Sequence, residues 1–106
     1  MARAKVITEI LAAYKKLGRK PIRGNWFGKH REVSPLCAWA IYNGAKPKKK
    51  CVEAVIIGVF GKDYLNGFES KWSGIGVRAE DIASYTRGRN HAKQVEDLLR
   101  KEGILK

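Results

Sequence analysis

The apolar residues of this chain recur at three- and four-residue steps, and no segment carries a convincing alternation of apolar and polar residues. The first pattern lines one face of a helix and the second one face of a strand, so the chain is directed to an all-α fold. Val6, Ile10, Ala13, Tyr14 and Leu17 share a helical face, and Gly18 supplies the stop. Ser34 followed by Pro35 predicts a second helix start, because a serine oxygen can accept from an orphan amide and proline is tolerated at the first helical position. That helix runs from about Pro35 to Tyr42 and ends at Asn43 and Gly44, both suited to a left-handed cap. CVEAVIIGVFG, residues 51–61, is apolar nearly throughout. Its periodicity fits a buried helix or a buried strand, and helix is favoured because a lone strand would lack partners. Asp63 is the expected N-cap of a further helix in which Tyr64, Leu65, Phe68 and Trp72 form a stripe, closed by Gly74 and Gly76.

At 106 residues the chain fits one domain. The expected architecture is a compact single-domain bundle of about five short helices over residues 1–106. Ile10, Tyr14, Leu36, Trp39, Ile56, Phe60, Phe68, Trp72, Val95 and Leu98 are its expected core.

Residues 79–105 read as a short helix from Ala79 to Tyr85, a turn through Arg87, Gly88 and Arg89, and a helix capped by Asn90. Ala92, Val95, Leu98 and Leu99 form the buried face of that last helix. Gly103 closes it, and Ile104 and Leu105 fold back on the core. DIASYTRGRNHAKQVEDLLRKEGIL resembles the helix-turn-helix of DNA-binding regulators. The resemblance implies that Arg87, Arg89, Asn90, His91, Lys93 and Gln94 occupy the turn and the start of a recognition helix. A second resemblance spans more of the chain. The N-terminal helix, CAWAIYNGA and the ending IASYTRGRNHAKQVEDLLRKEG are together similar to a family of small, uncharacterised helical proteins from bacteria and their phages. That family usually has glycine where Trp39 stands and Trp-Asn-Asp where Tyr85, Thr86 and Arg87 stand, and it implies no activity.

Charge narrows the partners. Twenty-two Lys and Arg face ten Asp and Glu, a net +12 that attracts polyanions or anionic surfaces. Residues 1–50 hold 13 basic and 2 acidic side chains, so nearly all of the excess lies in the N-terminal half. There, Arg19, Lys20, Arg23, Lys29 and Arg31 are interleaved with Trp26, Phe27 and His30, a mixture in which cations can meet phosphates while rings stack on bases. The alternative is that Trp26 and Phe27 pin the loop 18–33 to the core and leave the cations as a solvated rim. Lys46, Lys48, Lys49 and Lys50 resemble a nuclear-import signal, but a run held between two core elements reads better as a phosphate-contacting loop.

The catalytic inventory is thin. GxSxG, HExxH and the P-loop pattern are all missing, and Glu80 and Asp81 are ordinary partners of a helix dipole, so a non-enzyme is expected. Cys37, Cys51, His30 and His91 are residue types that suit zinc, yet their spacing matches no compact zinc motif. Buried structural cysteines in a reducing cytoplasm are expected, with no metal and no cofactor. No run of signal-peptide or membrane-spanning length occurs, so no membrane association is expected. The function that emerges is non-catalytic binding of DNA or RNA through the basic half. The alternative is a small phage-type interaction protein that docks this surface on an acidic or nucleic-acid-binding host protein.

Overall fold

The computed structural model describes residues 4–75 and 78–105. Among the described residues five α-helices form one all-α domain: α1 Lys5–Leu17, α2 Pro35–Tyr42, α3 Lys49–Phe60, α4 Lys62–Ser73 and α5 Ile82–Lys101. The radius of gyration of 12.6 Å is close to the roughly 13 Å of a compact 100-residue body, so the helices share one core.

α2 is apolar on every side, and Pro35 to Ala40 are buried, which makes it the central helix. α1 and α3 pack against it. α1 turns Val6, Ile7, Ile10, Ala13 and Tyr14 inward and stops at Gly18, whose φ of 64° lets its amide reach the Tyr14 carbonyl. The Ser34 side chain does not cap α2; its Oγ is buried with no partner, and only the Ser34 carbonyl serves the helix, accepting from the Ala38 amide. Asn43 keeps a φ of −92°, so of the two expected left-handed residues only Gly44, at 101°, takes a positive angle. α3 is a helix, as expected for 51–60.

Asp63 lies inside the first turn of α4 rather than capping it, because Gly61 precedes a helix that starts at Lys62. Its carboxylate instead accepts from the amides of Glu80 and Asp81, at 3.3 and 2.9 Å. Gly74 ends α4 at φ 73°, and Gly76 lies outside the described residues.

The expected turn at residues 87–89 is absent. α5 is one continuous helix of 20 residues, N-capped by Asp81 and not by Asn90. Gly88 serves a close approach instead of a turn. A Cβ there would collide with the Tyr64 carbonyl and the Phe68 amide, and a Cβ on Gly67 would collide with the Tyr85 carbonyl. Two glycines thus let the backbones of α4 and α5 touch, and the pair runs in the same direction, from Asp63 beside Asp81 to Trp72 beside Glu96. Only Gly could stand at either contact.

At its far end α5 closes with Gly103 at φ 73°, and the amides of Ile104 and Gly103 bond the carbonyls of Leu99 and Arg100. Nine of the ten expected core residues are buried; the tenth, Phe60, is half-buried and stacks on Tyr64 with 4.5 Å between ring centroids. Among the described residues no helix is long and apolar enough to cross a membrane.

Candidate functional site

The loop 18–33 is held by its own backbone and by the core beneath it. The Val33 amide bonds the Lys20 carbonyl, and the Val33 carbonyl accepts the buried Tyr14 hydroxyl at 2.7 Å. Trp26 and Phe27 are half-buried and pack against the core. They therefore anchor the loop, which was the second of the two roles open to them.

Arg23, though exposed, is tied down by several contacts. Its guanidinium lies 4.3 Å from the Trp72 ring centroid and donates to the Trp72 carbonyl at 2.8 Å and to Glu96 at 3.0 Å. The Trp72 indole N–H returns a bond to the Ile22 carbonyl, and the Gly24 amide bonds Ser73 Oγ. Arg23 is a clamp between loop and helices and is not a free cation.

The rest of the loop turns outward. The Gly28 amide bonds the Glu32 carbonyl at 2.9 Å, and the His30 amide bonds the Glu32 carboxylate at 2.7 Å. The amide of Glu32 itself, and then that of His30, hold the Glu32 carboxyl below its usual range. Within this tight turn Arg31 takes a φ of 68°, the one positive value at a non-glycine among the described residues. The turn sets His30 and Arg31 across from Arg19 and Lys20, which follow the end of α1. Together with Leu17, Gly18 and Glu32 they line a cleft of about 460 Å³. Three permanent cations and an imidazole thus meet in one concavity against one carboxylate. Lys29 is exposed at the turn but does not line the cleft.

A second basic feature stands at the C-terminal end of α2. Tyr42 is 37% exposed there, with the Lys16 ammonium 5.6 Å from its ring centroid. The chain then passes through exposed Lys46 to Lys48, the N-cap of α3, so Lys49 and Lys50 belong to the helix and not to a loop. Cations at a helix N-terminus oppose its dipole, and the first turn of α3 has no acidic residue to offset them. Helix stability does not account for these lysines.

The C-terminal candidates do not join either feature. Arg87 lies 6.0 Å from the Tyr64 ring centroid, Arg89 donates to Ser70 Oγ at 2.8 Å, and His91 Nδ1 meets the Tyr64 hydroxyl at 2.6 Å. All three turn back onto α4. Lys93 lies 3.9 Å from Asp97, while Asn90 and Gln94 are exposed on the continuous helix. The 87–94 stretch lies within one continuous helix and is not preceded by the turn that the helix-turn-helix resemblance implied.

Cys37 is buried, and burial pushes its thiol up to about 12, which leaves it inert. Among the described residues no three His, Cys, Asp or Glu side chains are grouped to hold a metal.

The Tyr42–Lys16 contact escaped the sequence reading. α2 is apolar at every position, so nothing in its pattern marks which ring reaches solvent. Compared with protein-family models, with curated proteins and with solved structures, the chain matches none.

Proposed function

We propose that this protein binds nucleic acid without catalysing a reaction, along a cationic track from the Arg19–Arg31 cleft past Lys16 and Tyr42 to the lysines that open α3. The observation that carries the reading is the crowding of Lys48, Lys49 and Lys50 on a helix end that is already positive. Such an arrangement costs stability and concentrates potential where free amides also point outward, which suits a phosphate. The cleft, where Arg19, Lys20 and Arg31 converge, adds a second cationic anchor. The exposed Tyr42 ring, flanked by a cation, offers a face on which an unpaired base can stack, so a single strand suits the surface better than a duplex.

The test is binding of labelled single-stranded DNA, RNA and duplex DNA across a salt series. Affinity that falls log-linearly with salt yet persists at physiological ionic strength, with single strands preferred, supports the reading. Loss of every probe at that ionic strength overturns it, because the charge would then be a general attraction to polyanions.

A further inference from the structure

α3 carries two apolar faces where a helix on the outside of a bundle needs one. Its inner side buries Val52 and Ile56 and stacks Phe60 on Tyr64. Its outer side presents Cys51, Ala54, Gly58 and Val59 at helical steps, with Val55 at its margin packed against the core. Val59 is 62% exposed, Ala54 and Gly58 are exposed, and Cys51 and Val55 are half-buried. Glu53 is the one charged residue between 51 and 60. An exposed apolar stripe of this spacing is what a second helix covers.

The flanks decide what kind of helix. Exposed Lys48, Lys49 and Lys50 stand at one end, and exposed Lys62 stands just past the other. A second copy laid antiparallel would set Lys50 against Lys62, and a parallel copy would set the 48–50 lysines against themselves. Both orientations repel. An anionic bilayer would match the lysines, but Ala54, Gly58 and Cys51 lack the bulk of the Trp, Phe and Leu that hold an interfacial helix in lipid. An acidic amphipathic helix meets the apolar stripe and the cationic ends together. At Gly58 no atom stands within 4 Å of where a Cβ would lie, so a large apolar side chain of the partner can reach the α3 backbone.

We propose that the outer face of α3 docks an acidic amphipathic helix of a partner protein. The proposal is independent of nucleic-acid binding except that both use Lys48–Lys50, so the two ligands compete. The probe is a synthetic peptide of about 20 residues with leucines at helical spacing and glutamates elsewhere, titrated into the full chain. A second peptide has the same composition in scrambled order. The expected result is saturable binding of the patterned peptide, amide shifts concentrated in residues 49–62, and a loss of about tenfold or more in Ala54→Glu and Val59→Glu. Both substitutions fall at exposed positions, and unchanged thermal melts show that the fold survives them. Equal binding of the scrambled peptide, or indifference to both substitutions, overturns the proposal. So does phosphatidylserine-vesicle binding, or a dimer seen by sedimentation, that Ala54→Glu abolishes while the patterned peptide fails to bind.

Discussion

His91 Nδ1 and the Tyr64 hydroxyl share a hydrogen bond, and burial, with the nearby Arg87 charge, lowers the His91 pKa. The unfolded chain therefore binds more protons than the folded one once pH drops below about 6.5. Stability should fall through that region and level off below the lowered folded value. His91→Gln retains an acceptor without titrating, so its unfolding midpoint in urea should lose this part of the pH dependence. Glu69 acts with the opposite sign. Burial raises its pKa, so its ionised form costs stability as pH climbs above the ordinary carboxylate value. Arg31 separates stability from binding. Glycine occupies a φ of 68° freely, so Arg31→Gly should raise unfolding stability by about 1 kcal/mol and weaken binding to single strands. A variant that becomes more stable and binds as well as before would remove Arg31 from the site.

Among the elements, the α4–α5 pair shows what a glycine in a helical sequence can mean. Gly88 reads as a turn because glycine commonly breaks a helix, and no residue near it announces that a neighbouring backbone will pass at contact distance. A methyl group there has only main chain to displace. Gly88→Ala should therefore destabilise by about 3 kcal/mol, whereas Gly58→Ala, with open space around it, should stabilise by about 0.5–1 kcal/mol. Chemical denaturation of the two variants checks both signs. α1, α2 and α3 were legible because their stop and start signals act within a few residues: the glycine after α1, the Ser-Pro before α2, and an apolar run too isolated to pair as a strand. The Ser34 and Asp63 caps failed because each side chain was taken up by tertiary structure. Ser34 is buried beneath the loop, and Asp63 is drawn across to the start of α5.

For the whole molecule, a net charge of +12 attracts polyanions but does not say which cations would meet one. If the proposed track is right, replacing Lys48, Lys49 and Lys50 by alanine should lower the single-strand salt slope by about 2, at about 0.7 per phosphate contact. Arg23→Ala should leave the slope unchanged, because that guanidinium is spent on Trp72 and Glu96. Equal slopes for all three proteins would reject the track. Helical class, the limits of the first four helices to within a few residues, and the apolar faces were set by the sequence itself, since periodicity and backbone stops are local physics. Tertiary structure alone decided that α5 is unbroken, that Arg23 is tied to Trp72 and Glu96 and His91 to Tyr64 while Arg19 and Arg31 share a cleft, and that α3 keeps an uncovered apolar side. Each of these depends on which distant segment comes to lie against a residue. No periodicity along the chain records that, because burial and pairing belong to the packed whole.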